Sequence, residues 1–412
     1  MNDPNALVRR DGRWHLFAQH SADPEELAIG WGEWSSTDLL AWRFEGVALP
    51  PGDTGFAYSG SIVSDGDGLL RAFHTRHDPA SGLQRQAVST SADTRTWSAP
   101  EPVLGICAPN WRDPFVWKRV DGWRMLLARP GDWNGAATER AHLEVWRSTD
   151  LLAWQQIGRI GPFSPPEVLW EVPSMIERGD GTAALVVSMV DRRAGRADSS
   201  VHYWPGRFDG MHFERACEGS MPLDLGPDFY AAIPVPGDPE TGPLLIGWLS
   251  NWQTVRGFGW PGFSGGPIGL PRSLALEGEG GAARLLQQAP TSIVGAFRAA
   301  AAQTPVAGLG LARIAGDFAL AVQSASAVLT VRRCAGRLLV RREGLHALDW
   351  AADHAIGDAD RMMLFIDGPA VELFLGGRTL SAALPCDDEP FRVTLDGGAI
   401  DWRALLPHHD AR

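Results

Sequence analysis

Ser36–Trp42 reads STDLLAW, and Ser148–Trp154 reads STDLLAW again. Between them Ser91–Trp97 reads SADTRTW, a degenerate third copy. The unit is a Ser-x-Asp turn, a few residues, and a Trp that opens the next strand. Ser and Asp suit such a turn because their side chains hydrogen-bond nearby backbone amides. The closing tryptophans recur roughly every 55–60 residues, the scale of a four-stranded propeller blade.

Working outward, short apolar runs accompany the repeat. Trp14–Gln19, Leu70–Thr75, Trp123–Ala128 and Ala183–Ser188 each follow an Asp-Gly pair (Asp11-Gly12, Asp67-Gly68, Asp121-Gly122, Asp180-Gly181), and Asp-Gly is a hairpin signal. Leu244–Trp248 supplies a fifth run. Helical periodicity is nearly absent. These recurrences predict an all-β chain whose residues 1–290 form a five-bladed β-propeller, in preference to a generic β-sandwich with chance internal similarity. Residues 291–302, rich in small side chains, read as a linker or short helix. Residues 303–412 carry strand-like segments at Phe318–Val322, Ala327–Val331, Leu338–Arg341, Arg361–Ile366, Val371–Leu375 and Phe391–Leu395, and predict a C-terminal β-sandwich.

Composition narrows the function. A net charge of −12, without a basic run, excludes an electrostatic grip on nucleic acid or anionic lipid. No stretch approaches the length of a membrane span, and the start MNDPNALVRR has no signal-peptide pattern, so a soluble cytoplasmic protein is expected. Cys107, Cys217, Cys334 and Cys386 are widely spaced, which predicts free thiols and no metal site. The chain has 18 Trp against 3 Tyr; most must pack sheets, yet flat apolar faces also suit the C–H side of a sugar ring.

In a propeller the innermost strands line a central channel, so carboxylates there converge from distant positions. Three stand out. Asp3, in Asn2-Asp3-Pro4-Asn5, would read alone as a turn residue. Asp113, in Arg112-Asp113-Pro114, would read alone as an exposed pair before a strand. Glu171, flanked by Leu169, Trp170 and Val172, sits in apolar company, and burial there would raise its pKa as a general acid requires. The repeat assigns them to blades one, three and four. Carboxylates meeting in one channel suit glycosidic cleavage, whose oxocarbenium-like transition state needs one carboxylate at carbon and an acid at oxygen.

These motifs, in this order, resemble glycoside hydrolase family 32, the invertases, inulinases and levanases. Asn2–Asn5 resembles the nucleophile motif, Tyr58-Ser59-Gly60-Ser61 a fructose-contacting motif, Arg112-Asp113-Pro114 the Arg-Asp-Pro motif, and Trp170–Pro173 the acid/base motif. Asp228–Ala231, Gly247–Trp252, Leu270-Pro271-Arg272 and Ile366-Asp367 through Phe374 extend the likeness. The resemblance implies a retaining β-fructofuranosidase acting on sucrose, fructo-oligosaccharides or fructan. It assigns Asp3 as nucleophile, Glu171 as acid/base and Asp113 as transition-state stabiliser. Asn2, Gln19, Trp31, Ser59, Arg112, Trp248 and Trp252 would surround the sugar. No cofactor or metal is implied. The expected partner is a small sugar; a homodimer through the sandwich is an open expectation that no residue demands.

Four departures from the family pattern are visible. Ala6 replaces a Gly, which would be strained if that position needed positive φ. Only Met1 precedes Asn2, so a strand of blade one could be missing. Trp31-Gly32-Glu33 replaces Trp-Gly-His, which suggests an added acid near the entrance. Val172 replaces a Cys, a mild change. Rival readings are a fructosyltransferase, an inverting arabinan- or xylan-cleaving propeller, a non-catalytic fructoside-binding protein and a protein-interaction propeller.

Overall fold

The structure is a computed structural model that describes residues 1–22, 28–52, 55–131, 139–193, 198–238, 241–253, 265–299, 310–356, 361–368, 370–385 and 391–405. Five antiparallel sheets follow one another along the chain. Blade one holds β1 (Pro4–Arg10), β2 (Arg13–His20), β3 (Gly30–Ser36) and β4 (Arg43–Leu49). Blade two holds β5 (Phe56–Ser64), β6 (Leu70–His77), β7 (Gln84–Ser91) and β8 (Glu101–Pro102). Blade three holds β9 (Arg112–Arg119), β10 (Gly122–Arg129), β11 (His142–Ser148) and β12 (Gln155–Ile160). Blade four holds β13 (Val168–Glu177), β14 (Thr182–Asp191), β15 (Asp198–Phe208), β16 (Phe213–Arg215) and the short β17 (Met221–Pro222). Blade five holds β18 (Tyr230–Asp238), β19 (Gly242–Trp248), β20 (Arg272–Glu277) and β21 (Arg284–Gln288).

The repeat that decides the fold is the turn between the third and fourth strands. Ser36 Oγ accepts from the amides of Asp38 and Leu39, Asp38 Oδ1 accepts from those of Leu40 and Ala41, and Trp42 Nε1 donates to the Leu39 carbonyl. Ser148, Asp150 and Trp154 make the same bonds. The degenerate copy keeps the pattern's polar skeleton, with Ser91 bonding the Asp93 amide, Asp93 those of Arg95 and Thr96, and Trp97 the Thr94 carbonyl. Leu39, Thr94 and Leu151 all take left-handed φ, at 65°, 71° and 66°. Ser and Asp hold this turn through backbone amides, so it survives replacement of the residues between them. Every predicted apolar run falls on the second strand of its blade. Blade one is complete, with four strands, and Ala6 is a buried strand residue outside the positive-φ set; neither feared defect occurs.

The ring closes by packing. Leu7, Trp14 and Leu16 of blade one share a buried cluster with Tyr230, Ile233 and Leu244 of blade five, and with Phe297, Phe365 and Phe374 beyond the propeller. After blade five come helix α1 (Thr291–Gly295) and β22 (Phe297–Ala299), where a linker was expected. Then follow β23 (Gly310–Gln323), β24 (Val328–Cys334), β25 (Arg337–Glu343), β26 (Trp350–Ala355), β27 (Arg361–Asp367), β28 (Ala370–Leu375), β29 (Arg378–Ala383) and β30 (Arg392–Leu405). These C-terminal strands are one hydrogen-bonded sheet that folds into two layers. The long β23 pairs β30 along one edge, while its other edge is shared, Phe318–Gln323 with β24 and Gly310–Ala315 with β27. The crease is a bulge at Gly316-Asp317 opposite Gly398, where Gly316, Gly397 and Gly398 take φ of 81°, 76° and 68°. A bulge bends a strand, and glycine permits the bend. Leu320, Leu329 and Val340 of one layer meet Leu364, Leu373 and Leu380 of the other in a common core.

Propeller and sandwich are joined by buried ions. Arg272, fully buried on β20, bonds Asp224 (2.8 Å), Gln287 (2.9 Å) and Thr379 (2.7 Å) through one guanidinium nitrogen, and Glu372 (2.9 Å) and Ser381 (2.6 Å) through another. Its carbon lies 3.7 Å from the Phe229 ring centre. Asp228 similarly ties Arg342 and the Ala383 amide to Asn251. Asp228, Leu270–Arg272 and the segment around Glu372 therefore serve to seat one unit on the other.

Candidate active site

Each inner strand slips out of register against its neighbour at the same end of the channel. The slips fall between Pro4 and Ala6, Ala57 and Gly60, Arg112 and Phe115, Glu171 and Ser174, and Tyr230 and Ile233. A bulge re-aims side chains that a regular strand would alternate between faces. Proline, lacking an N–H, fits such unpaired positions, and Pro114 and Pro173 occupy two of them, while Pro4 flanks a third. Asp113, Val172 and Ala231 take φ of 62°, 44° and 50°. Asp tolerates this region; β-branched Val172 does not, at a cost of about 1–3 kcal/mol that the surrounding fold must offset. Gly60 is required by space, since a Cβ there would lie 1.9 Å from the Phe73 carbonyl oxygen.

The five slips surround a cavity of about 270 Å³ lined by Asn2, Asp3, Gln19, Ser59, Arg112, Asp113, Glu171 and Trp252, with Ile29, Tyr58, Gln84 and Asn110. Of two larger hollows, one between blade five and the sandwich has no acidic residue among its described lining residues, and one on the sandwich has only Asp353 and Asp396. Ser59 Oγ donates to Asp3 Oδ2 at 2.6 Å and is itself held by Gln19 Nε2 at 2.6 Å. Asp3 Oδ1 is buried without a partner. Burial pushes the Asp3 carboxyl up to about 7, with Glu171 and Asp113 adding repulsion against the lowering effect of Ser59. Asp113 is also pushed up, to about 6, chiefly by burial; Arg112 opposes this and Glu171 reinforces it. Asp113 Oδ2 accepts the Val172 amide at 2.9 Å, and the Asp113 amide donates to Thr75 Oγ1 at 3.0 Å.

Glu171 departs from expectation. Leu169 and Trp170 turn into separate cores, while the carboxylate faces polar partners. Arg112 Nη2 and Nε donate to Oε1 at 3.0 and 3.2 Å, and Tyr230 Oη donates to Oε2 at 2.8 Å. Arg112 is thus a partner of Glu171 as well as a lining residue of the cavity.

Eight of the ten expected residues meet at this cavity. The other two do not line it. Trp31, on the third strand of blade one, is fully buried and donates Nε1 to the Tyr58 carbonyl at 3.0 Å. Trp248, on the second strand of blade five, is fully buried behind Tyr230 and Trp252. Both indole rings sit behind the inner strands, whereas Gln19 and Gln84, also on second and third strands, reach the cavity, as does Trp252 beyond the end of β19. Glu33 is no entrance acid: it is buried, bonded to His15 Nδ1 at 2.7 Å and Thr94 Oγ1 at 2.8 Å, and it braces blade one against the turn of blade two. Asn5 and Ser61 are also braces, bonding the Gly60 amide and the Pro114 carbonyl. Sequence reasoning missed Gln84 and Asn110, and quoted Tyr58 and Tyr230 within motifs without naming either as a site residue. Tyr230 opens β18 inside the quoted motif Asp228–Ala231, and its place at the head of an inner strand was the available signal. Among the described residues no His, Cys, Asp and Glu group has metal-binding geometry. Cys107, Cys217 and Cys334 are free thiols; Cys386 lies outside the described residues.

Residues 1–289 match the Glycosyl hydrolases family 32 N-terminal domain. The chain is 28% identical over 342 residues to the extracellular exo-inulinase of Aspergillus awamori, covering 70% of this chain and 62% of that protein's length. It is 30% identical over 418 residues to the sucrose-6-phosphate hydrolase of Klebsiella pneumoniae, covering 91% and 83%. The crystal structure of the Aspergillus awamori exo-inulinase superposes with a TM-score of 0.80 at 23% identity, over 98% of this chain and 96% of that one, a likeness of fold.

Proposed function

Because the chain belongs to glycosyl hydrolase family 32, we propose that it is a retaining β-fructofuranosidase that removes terminal fructosyl units from sucrose or fructo-oligosaccharides. The observation carrying this reading is the state of Asp3. One carboxylate oxygen is anchored by Ser59 while the other has no partner, in a cavity shared with Glu171. A nucleophile needs such an oriented but uncommitted oxygen.

In the proposed reaction Asp3 Oδ1 attacks the anomeric carbon while Glu171 protonates the departing oxygen. Glu171, then a base, takes a proton from water, which releases fructose from Asp3 with net retention. This requires the two carboxyl groups to stand about 5–5.5 Å apart in the working complex. Arg112 and Tyr230 hold Glu171 in place, Gln19 holds Ser59, Asp113 faces the ring hydroxyls, and Trp252 supplies an apolar wall. The one cationic side chain among the described lining residues, Arg112, is bonded to Glu171. That favours an uncharged fructoside over a phosphorylated one.

The test is fructose release from sucrose, sucrose 6-phosphate, short inulin-type oligosaccharides and levan, with the first-formed anomer followed by NMR. Initial β-fructofuranose from a neutral substrate is expected; absence of release from every fructoside, or initial inversion, would refute the proposal.

Two further outcomes follow from the geometry. Tyr230→Phe removes one donor to Glu171 without emptying space. Hydrogen bonds to charged groups contribute about 1.5–3 kcal/mol, so kcat should fall on the order of 10- to 100-fold with KM little changed; unchanged kcat would dismiss Tyr230 as a positioning residue. The free enzyme's nucleophile must be ionised, and Asp3 and Asp113 are raised to about 7 and about 6. The acid limb of kcat/KM should therefore have its midpoint between about 6 and 7 as a property of the coupled group, and a profile flat down to pH 5 would contradict it.

A further inference from the structure

A second hollow lies in the seam between blades one and two. It measures about 350 Å³ and combines an apolar wall, including Leu49, Trp97 and Pro100, with three polar side chains of blade two, His74, Arg76 and Ser89. His74 and Arg76 sit two apart on β6 and so project from one face of the strand. They are 0% and 4% exposed.

A buried cation is costly without an opposing charge. Arg112, Arg272 and Arg342, comparably buried, each hold a carboxylate. Arg76 holds none. Its two terminal nitrogens donate to the carbonyls of Gly55 and, at 3.4 Å, Pro50, and its Nε has no partner. His74 is similarly unsatisfied: Nε2 makes only a 3.4 Å contact with Ser89 Oγ, and Nδ1 has no partner. Burial lowers the pKa of Arg76 and pushes His74 down to about 3, which leaves the imidazole neutral and able to donate. An exposed rim at Ser98 and Ala99, a guanidinium bonded only to neutral carbonyls and an idle ring nitrogen are the complement of an oxyanion, and the Trp97–proline wall is the complement of a short uncharged body.

The geometry points to a second ligand site here, separate from the catalytic cavity, that takes a small organic oxyanion, its phosphate or carboxylate head on Arg76 and His74 and its body against Trp97. The site does not rest on the proposed hydrolase activity.

The test is calorimetric titration of the whole protein at constant ionic strength, with sodium chloride as control, using inorganic phosphate, glucose 6-phosphate and gluconate. The proteins are wild type, Arg76→Gln, Ala99→Trp and Asp3→Asn. Ala99 is an exposed rim residue of this hollow, so a Trp there obstructs the mouth with the core left intact, and it carries the test should Arg76→Gln fail to fold. Saturable one-to-one binding by wild type of at least one organic probe is expected, weakened on the order of tenfold or more by Arg76→Gln, obstructed by Ala99→Trp and unchanged by Asp3→Asn. No saturable binding of any probe, binding that survives both Arg76→Gln and Ala99→Trp, or binding abolished by Asp3→Asn would overturn the assignment. Stronger binding of glucose 6-phosphate than of gluconate identifies a phosphate head, and the reverse a carboxylate.

Discussion

Asp3→Asn and Glu171→Gln are each expected to reduce fructose release by several orders of magnitude, with the fold retained. Removing a nucleophile or the group that serves as both acid and base eliminates a covalent step, and such losses reach about 10⁴–10⁶ in comparable hydrolases. The two variants should differ in how they fail. Asp3→Asn cannot form the fructosyl-enzyme, so no burst and no rescue by an activated leaving group are expected. Glu171→Gln should keep the first step for a substrate whose leaving group needs no protonation, and stall in the second. Equal residual rates on such a substrate would exclude the assigned division of roles.

The same substitution carries a stability prediction of opposite sign. Asp3 has an ordinary carboxyl pKa of 3.8 when unfolded and about 7 when folded. The folded state therefore binds the proton more tightly, and its stability declines as pH rises from about 4 to about 7. Asp3→Asn abolishes that decline. Its melting temperature should match or exceed wild type at pH 8, by an amount equivalent to about 1–3 kcal/mol, and the difference should shrink at pH 4.5. A less stable variant at pH 8 would show that the Ser59 bond outweighs the burial of charge.

The second large effect is expected far from the cavity. Arg272→Met should lower stability by about 3–5 kcal/mol, because it leaves Asp224 and Glu372 buried without their shared cation. Burial already raises Glu372, and Arg272 is the principal group opposing it. Adding Asp224→Asn and Glu372→Gln to Arg272→Met should recover part of the loss, since the stranded charges are then gone. Urea unfolding would read this as a shift in midpoint; a single variant within about 0.5 kcal/mol of wild type would show that the network is not what seats the sandwich.

Much of this molecule was legible in its sequence for a physical reason. The blade turn is held by Ser and Asp side chains bonded to amides two and three residues away, so STDLLAW means the same thing wherever it occurs. The second strand of each blade is buried on both faces and reads as an apolar run. Those local rules determined the five blades, six of the nine described strands in the C-terminal sheet and the blades on which Asp3, Asp113 and Glu171 stand. Tertiary structure decided the rest. Whether a side chain reaches the cavity depends on the bulges beside Pro4, Gly60, Pro114, Pro173 and Ala231 and on the packing of the closed ring, which admits Gln19 and Gln84 from second and third strands. Hence Trp31 and Trp248 lie behind the wall and Trp252 lies in it. The partners of Glu171 come from residues 112 and 230, one on each neighbouring blade, and Arg272 is matched by acids from blade four's exit and the sandwich. No local pattern encodes such pairings, because they exist only once the ring has closed.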